Sequence, residues 1–255
     1  MRSLWFVMPV HGRLPLARIC LEQLRRTCDA LLVEGIAASA VVVTDRPSLQ
    51  QLDVGSLGFA SAERDNTYLS RKFNDGIQLA TDPAFNPNPA EYVVPIGSDD
   101  WVDHRLFIEP LPASHTIVGF QRMSFVREDG GEITTSFLDY AGGSGIRIIP
   151  RALVQPLDFR PADEDRKRAC DTSILRNLRL HHGDKLRVEH WHLHDWQIVD
   201  WKTPQANLNR YTQVTAMQRV SPAGLDPFEQ LAGVYPDEAL EAMRAHYEAL
   251  AVVAA

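Results

Sequence analysis

The stretch Tyr92-Val93-Val94-Pro95-Ile96-Gly97-Ser98-Asp99-Asp100-Trp101 decides the fold of this chain. Its apolar half predicts a buried strand, which ends in Gly-Ser and two adjacent carboxylates. Ligands of open α/β sheets bind beyond the carboxyl ends of strands. Neighbouring carboxylates repel each other unless a cation or a shared proton offsets their charge, and a hard divalent ion that also contacts phosphate oxygens supplies such an offset. The stretch therefore predicts a metal and diphosphate site on Asp99 and Asp100. The alternative is a strand followed by an Asp-Asp helix cap.

Strand and helix patterns alternate on the amino-terminal side of this stretch. Apolar runs predict strands at 4–10 and 40–44 and a short strand at 59–62. Helical spacing predicts helices over 15–31 and 69–80. Near-continuous apolar strands that alternate with helices indicate an α/β fold with a mostly parallel sheet covered on both faces.

The pattern changes after Asp100. Strands of a mixed sheet are expected at 116–126, 132–138 and 146–149. A helix over 170–180, a strand over 187–193 and an amphipathic helix over 236–253 follow.

Length and charge restrict the function. A chain of 255 residues can bury one sizeable core, and its net charge of −7 argues against non-specific nucleic-acid binding by the whole molecule. The segment 147–187 is locally basic, with ten basic against six acidic residues. No apolar run approaches the roughly 20 residues that span a bilayer, the first residues lack a signal-peptide cleavage pattern, and three cysteines suit a reducing compartment. We expect a cytoplasmic protein without a membrane partner.

Five short segments share an order and spacing with a known family. They are Phe6-Val7-Met8-Pro9-Val10-His11, Val41-Val42-Val43-Thr44-Asp45, Arg71-Lys72-Phe73-Asn74-Asp75-Gly76-Ile77, Ile96-Gly97-Ser98-Asp99-Asp100 and Ala169-Cys170-Asp171-Thr172-Ser173-Ile174-Leu175. They resemble the corresponding segments of the GT-A glycosyltransferases, specifically the inverting family 2 group, over roughly residues 4–200. Three positions depart from the family pattern: Gly97 replaces the first acid of the metal motif, Cys170 replaces the Glu before the base, and Arg46-Pro47 follows Asp45 in place of an acidic, Gly-rich turn.

The resemblance implies a GT-A fold with a Rossmann-like nucleotide-binding half at about 1–101 and an acceptor half at about 102–220, followed by a helical extension at 221–255. It implies a soluble inverting enzyme that uses Mn²⁺ or Mg²⁺ and a nucleoside-diphosphate sugar, with UDP-sugar favoured. The expected donor-binding residues are Pro9, Val10, His11, Asp45, Arg64, Lys72, Asn74, Ser98 and Asp99.

The chemistry of such a transfer needs two kinds of carboxylate. A cation held by Asp99 stabilises the departing diphosphate, and a second carboxylate takes the proton of the acceptor hydroxyl. Asp171 is the expected catalytic base, and a helix cap is its alternative role. The acidic cluster Asp163-Glu164-Asp165 is a rival source of the base, or a solvated acidic turn.

Three alternating histidines, His190, His192 and His194, would face one side of a strand. A zinc site is one interpretation, but three histidines on one extended strand are too far apart to bind one ion. Because the resemblance implies one late metal-binding histidine, His192 or His194 is the candidate. A partly buried polar strand is the alternative.

The acceptor side is expected to involve Trp101, which either stacks on a sugar or belongs to the core. The glycine-rich residues Gly143, Ser144 and Gly145 either let the backbone approach the acceptor or form a simple connection.

Two other functions remain open on the residues alone. One is a nucleotidyltransferase on a similar sheet, and the other is a nucleotide-sugar-binding module without catalysis, which the missing acid at Gly97 would suit. Compact enzymes of this kind resemble those of bacteriophages, so hydroxylated bases of phage DNA in the host cytoplasm are the candidate acceptor, to which the basic segment would bind.

Overall fold

A computed structural model describes residues 2–109, 111–129, 132–139, 145–191, 197–203, 220–222 and 226–254. Its strands are β1 (Arg2–Pro9), β2 (Ile36–Thr44), β3 (Ala60–Glu63), β4 (Tyr92–Pro95), β5 (Asp100–Val102), β6 (Thr116–Phe120), β7 (Arg122–Asp129), β8 (Glu132–Asp139), β9 (Arg147–Pro150), β10 (Arg187–Trp191), β11 (Ile198–Lys202) and β12 (Val220–Pro222). Its helices are α1 (Leu14–Val33), α2 (Arg46–Leu52), α3 (Leu69–Thr81), α4 (Arg151–Val154), α5 (Cys170–His182), α6 (Pro227–Leu231) and α7 (Asp237–Ala254).

The main sheet has seven strands in the order β10-β6-β9-β4-β1-β2-β3. Neighbouring strands pair in parallel except at β9, which runs antiparallel to both β4 and β6. The predicted α/β class with a mostly parallel sheet is confirmed. The carboxyl ends of β1, β2 and β4 consequently meet at one edge of the sheet, where ligands of such folds bind.

Helices cover both faces of this sheet because its strands are apolar on both sides. Phe6 and Met8 of β1 pack in the same core as α1, whereas the intervening Val7 packs in the same core as α3. Gly76 lets α3 approach β1 closely, since a Cβ there would lie 2.4 Å from Val7 Cγ1. The glycine of the predicted Asn-x-Gly helix therefore serves helix–strand packing.

A second sheet of five strands, in the order β12-β8-β7-β11-β5, carries the acidic strand β5. A third core lies against it, in which Trp101 and Trp201 pack with Tyr235, Met243 and Tyr247 of the carboxyl-terminal segment. The reverse side of the acidic strands is thus covered by residues from the end of the chain.

The structure corrects one sequence prediction, adds one helix that was not predicted, and excludes one alternative. The single strand expected at 116–126 is two strands in different sheets, because the chain crosses at Gln121, whose N–H bonds the Trp191 carbonyl at 3.0 Å. The residues after Asp45 form helix α2, whose first turn Asp45 caps through Ser48 N–H at 2.9 Å. Asp99 and Asp100 cap no helix, since Asp100 begins β5.

Among the helices that the structure describes, none combines the length and the apolar character needed to cross a bilayer.

Candidate active site

Three carboxylates converge where β4 leads into β5. Asp99 precedes β5, Asp100 begins it, and Asp200 lies directly opposite Asp100 on the antiparallel strand β11. One ligand oxygen from each lies within 4.8 Å of the others, and the three residues are only 8–9% exposed. Like charges directly opposite on paired strands destabilise a sheet, so this arrangement requires compensating positive charge.

Two cationic side chains supply part of that compensation. Arg13 Nη1 lies 3.0 Å from Asp99 Oδ2. The Lys202 ammonium lies 3.3 Å from the same oxygen and 2.7 Å from Asp200 Oδ1. The site therefore contains three carboxylates and two cationic groups, all of them buried or nearly so.

The three carboxyl groups differ in their acidity. Burial raises the pKa of Asp100 well above its usual range, and the neighbouring Asp200 and Asp99 raise it further. Burial also raises the pKa of Asp200, to about 6, although Lys202 opposes this. Burial acts on Asp99 in the same sense, but Lys202 and Arg13 outweigh it and lower the Asp99 pKa. Asp99 is thus the carboxylate that the protein itself holds ionised.

Gly97 makes room for the acids. Its N–H donates to Asp100 Oδ2 at 2.7 Å. A Cβ at Gly97 would lie 2.7 Å from that oxygen and 2.8 Å from Asp99 Oδ1, closer than side-chain atoms approach. The absence of an acid at this position follows from the crowding of the two carboxylates, and Asp200 contributes the third acid from another strand.

The loop after β1 places Arg13 beside Asp99. Gly12 and Arg13 both adopt left-handed backbone angles, with φ of 65° and 49°. Arg13 precedes α1 without a side-chain capping bond, so the helix start does not explain an arginine in this uncommon conformation. Val10 anchors the loop, because its carbonyl accepts from Thr44 Oγ1 at 2.9 Å and from the Lys72 ammonium.

Several predicted donor-binding residues lie at the same edge of the sheet. Asp45 accepts a hydrogen bond from Asn66, and Asn66 accepts one from Lys72. Lys72 is 1% exposed, and its burial lowers its pKa to about 8, against the effect of Asp45. Burial and then Lys72 also lower the pKa of the exposed His11. Asp45, Asn66 and Lys72 form one hydrogen-bonded chain that ends at the Val10 carbonyl, beside the ends of β1 and β2.

Pro9 and Ser98 mark the ends of the two strands that lead to the site. Pro9 closes β1, and Ser98 is buried in the turn before Asp99.

Two predicted donor-binding residues are engaged elsewhere. Arg64 pairs with Asp75. The Asn74 amide donates to the Ala162 carbonyl and to Glu164 Oε1, both at 2.9 Å, and accepts from Ala162 N–H at 2.8 Å. Both side chains hold the fold together through these contacts.

Asp171 lies in the first turn of α5, where its carboxylate is 3.5 Å from Arg147 Nη1 and is 36% exposed. A Cβ at Gly145 would lie 3.8 Å from it. The β4–β9 pairing sets Val93 opposite Ile149, and because the strands are antiparallel, this register brings Arg147 level with Pro95. Asp171 therefore lies at the same edge of the main sheet as Asp99 and Asp100, beside the start of β9, the strand that pairs with β4. The N-cap position of α5 is Ala169, and no side-chain hydrogen bond caps the helix, so Asp171 does not serve as its cap.

Two members of the rival acidic cluster, Asp163 and Glu164, form ion pairs with arginines. Asp163 is 2.8 Å from Arg166 and 2.6 Å from Arg176. The Asn177 hydrogen bond and these arginines lower the pKa of Asp163 to about 2. Glu164 bonds Arg160 at 3.0 Å. A carboxylate that holds its charge so firmly is a poor proton acceptor.

Trp101 requires a correction, because it is 1% exposed and cannot stack on a sugar. Its ring centre lies 5.0 Å from that of Trp201, edge-on, and 5.0 Å from that of Tyr235, in a tilted arrangement. Trp101 therefore belongs to the core, the alternative role expected for it.

The remaining predicted residues are only partly described. Gly145 is exposed and adjacent to Asp171. His190 lies on β10, which stands at one end of the main sheet and pairs with β6. Four residues lie outside the described ranges, namely His192, His194, Gly143 and Ser144.

Sequence reasoning missed Arg13, Asp200 and Lys202. Asp200 and Lys202 alternate on a strand that is otherwise apolar, Ile198-Val199-Asp200-Trp201-Lys202. Alternate residues of a strand share a face, so two opposite charges on one face of a buried strand were the available signal. Arg13 gave no signal beyond its place in the loop after β1.

The chain matches no known family model and no curated protein sequence. Solved structures resemble it at low identity. One is a mutant β-1,4-galactosyltransferase 7 from Drosophila with manganese, UDP-Gal and xylobiose, at 12% identity and a TM-score of 0.47, covering 74% of this chain and 65% of that chain. Another is glucosyl-3-phosphoglycerate synthase from Mycobacterium tuberculosis with Mn²⁺, UDP and phosphoglyceric acid, at 11% identity and a TM-score of 0.47, covering 84% and 74%.

A third is 4-diphosphocytidyl-2C-methyl-D-erythritol synthase from Anaerococcus prevotii, at 13% identity and a TM-score of 0.44, covering 75% and 87%. The chain thus spans slightly less than two thirds of the galactosyltransferase, 65% of its length. What these proteins share with the chain is a general arrangement of helices and strands, and the assignment of a function depends on the site itself.

Proposed function

We propose that the protein is a metal-dependent, inverting glycosyltransferase that moves a sugar from a nucleoside-diphosphate donor, with UDP favoured, to a hydroxyl acceptor. The observation that carries this proposal is the buried cluster of Asp99, Asp100 and Asp200, whose ligand oxygens lie within 4.8 Å of one another. The cluster stands beyond the carboxyl end of β4, where ligands of α/β sheets bind.

The three carboxylates suit Mn²⁺ or Mg²⁺ as ligands, because both are hard cations that prefer carboxylate oxygens. Three ionised carboxylates beside two cationic side chains also leave the site with a net negative charge. The raised pKa values of Asp100 and Asp200 express the same excess. When bound, the ion would act as a Lewis acid toward the diphosphate.

The chain's own cations would assist the leaving group. Arg13 and Lys202 both contact Asp99 Oδ2. A diphosphate held by a metal ion on Asp99 would therefore lie close to a guanidinium group and an ammonium group. Fixed positive groups aimed at developing negative charge stabilise a transition state, and one such donor is worth about 10²–10³ in rate.

Asp171 is the proposed catalytic base. Its carboxylate is partly exposed and can reach an incoming hydroxyl, and Arg147 holds it in place at 3.5 Å. It would accept the hydroxyl proton as the acceptor oxygen attacks the anomeric carbon from the face opposite the diphosphate.

For the acceptor we propose a hydroxyl on a polyanion, with hydroxylated bases of bacteriophage DNA as the case to test. Support comes from the exposed basic residues of the segment 147–187, which also contains Asp171. They are Lys167, Arg168, Arg176, Arg179, Lys185 and Arg187. Binding to duplex DNA with hydroxymethylated bases should weaken steeply as salt rises. Absent or salt-independent binding would remove DNA as the acceptor.

We place the reaction in the cytoplasm, since Cys20, Cys28 and Cys170 are all free and buried.

The decisive experiment measures hydrolysis of UDP-sugars, with Mn²⁺ and with EDTA, in the wild type, Asp99→Asn and the surface control Asp184→Asn. We expect metal-dependent release of UDP, a loss of about 100-fold or more in Asp99→Asn, and no change in Asp184→Asn. Undiminished activity of Asp99→Asn, or of the wild type in EDTA, would overturn the proposal. Pyrophosphate release from a nucleoside triphosphate would indicate a nucleotidyltransferase, and tight UDP binding without turnover would indicate a binding module.

A further inference from the structure

The Lys202 ammonium lies between two of the three carboxylates that would hold a metal ion. It is 2.7 Å from Asp200 Oδ1 and 3.3 Å from Asp99 Oδ2. An ion bound by the same two carboxylates needs bonds of about 2.0–2.6 Å. Lys202 thus occupies one oxygen of each carboxylate, and an ion held by these same two oxygens would have to displace it.

Arg13 competes for the same carboxylate. Its Nη1 lies 3.0 Å from Asp99 Oδ2, the oxygen that Lys202 also contacts. The side chains of this group are only 9–15% exposed, and salt screens buried pairs far less than exposed ones. In the protein without a bound nucleotide, Arg13 and Lys202 therefore offset part of the negative charge of the proposed metal site.

A diphosphate gives both cations another partner. Arginine binds phosphate oxygens in a fork, and lysine binds them as a point charge. We infer that Arg13 and Lys202 are exchangeable counter-ions, which neutralise Asp99 and Asp200 in the donor-free protein and turn to the diphosphate when the nucleotide binds. The carboxylates are then free for the metal, so metal and nucleotide bind cooperatively. This inference rests on the proposed function and adds to it an order of events at the same site.

The test is Mn²⁺ binding, followed by the paramagnetic resonance of free Mn²⁺, with and without saturating UDP. For the wild type we expect UDP to tighten Mn²⁺ binding by about tenfold or more, and Mn²⁺ to tighten UDP binding by the same factor. Lys202→Met should bind Mn²⁺ more tightly than the wild type without UDP and show a smaller effect of UDP. The control Arg2→Met, at an exposed cationic residue on the end of β1 away from the site, should bind Mn²⁺ and UDP as the wild type does.

Arg13→Gln provides an independent variant in case Lys202→Met fails to fold, as judged by circular dichroism in EDTA. It should change Mn²⁺ binding in the same direction, because it removes the other cation from Asp99. If a folded Lys202→Met or Arg13→Gln binds Mn²⁺ no more tightly than the wild type without UDP, the inference is wrong even where Asp99→Asn abolishes binding. If the wild type binds no Mn²⁺ with or without UDP, the proposed metal-dependent function itself fails.

Discussion

Asp200→Asn should make the metal-free protein more stable while it damages the proposed site. Asp200 is buried directly opposite Asp100, and Asn keeps its shape without its charge. The folded protein holds the pKa of Asp200 at about 6, above the ordinary value of 3.8, chiefly through burial. An acid whose pKa is raised by folding destabilises the fold progressively as the pH rises from 3.8 through 6.

The size of the effect follows from that difference. About two pKa units correspond to at most about 3 kcal/mol in the free energy of unfolding, fully expressed above pH 6. For a chain of this length that is a rise in melting temperature of at most about 6–12 °C. The stabilisation should shrink as the pH falls from about 7.5 toward 4, because wild-type Asp200 then becomes neutral as well.

The assay is thermal and urea unfolding in EDTA across this pH range, for the wild type, Asp200→Asn and Asp184→Asn. Saturating Mn²⁺ with UDP should then remove most of the variant's advantage, because a ligand at 100 times its Kd stabilises the wild type by about 2.7 kcal/mol. An Asp200→Asn protein that is less stable than the wild type in EDTA near neutral pH, with Asp184→Asn unchanged, would refute this account of the cluster.

Three further substitutions test other parts of the structure. Gly97→Ala should weaken Mn²⁺ binding in calorimetric titration by about 10–100-fold, since its Cβ would clash with both carboxylates. The control Gly55→Ala, with open space around it, should bind Mn²⁺ as the wild type does. Equal Mn²⁺ affinities of Gly97→Ala and the wild type would contradict the crowding argument. Gly76→Ala should lower the free energy of unfolding in urea by about 1–3 kcal/mol, and Val7→Ala should partly restore it by removing the clashing methyl groups; additive losses would contradict the packing argument. Asp171→Asn should lower kcat about 10²–10⁴-fold without changing Mn²⁺ affinity. An unchanged kcat would show that Asp171 is not the catalytic base.

The sequence predicted the main sheet and one half of the site because both depend on local patterns. An apolar run that ends in two acids marks a strand end and its ligand edge within ten residues. Asp200 was missed because its partnership with Asp100 depends on the register between β5 and β11, two strands that are far apart in the chain. No local pattern encodes that register.

Trp101 shows a different kind of error. Adjacent residues on a strand point to opposite faces, so Asp100 and Trp101 cannot line the same site once 100–102 is a strand. The prediction placed both beside the ligands because the segment was assumed to leave the strand at the acids. For Asn74, the motif gave the helix correctly, but its partner Ala162 lies far along the chain, and only the folded structure identifies it.

The pairing of acids with tryptophans links the proposed site to the last helix. Asp100 and Asp200 are each followed by a tryptophan on the opposite face, and these rings touch each other and pack with residues of α7. Tyr247 of that helix also donates to the Lys202 carbonyl at 3.1 Å. The face of these strands opposite the acids therefore packs against an aromatic core, to which α7 contributes. Substitutions in α7 would change the packing behind Asp100 and Asp200 without contacting either carboxylate, so we expect this remote helix to influence ion binding at the proposed site.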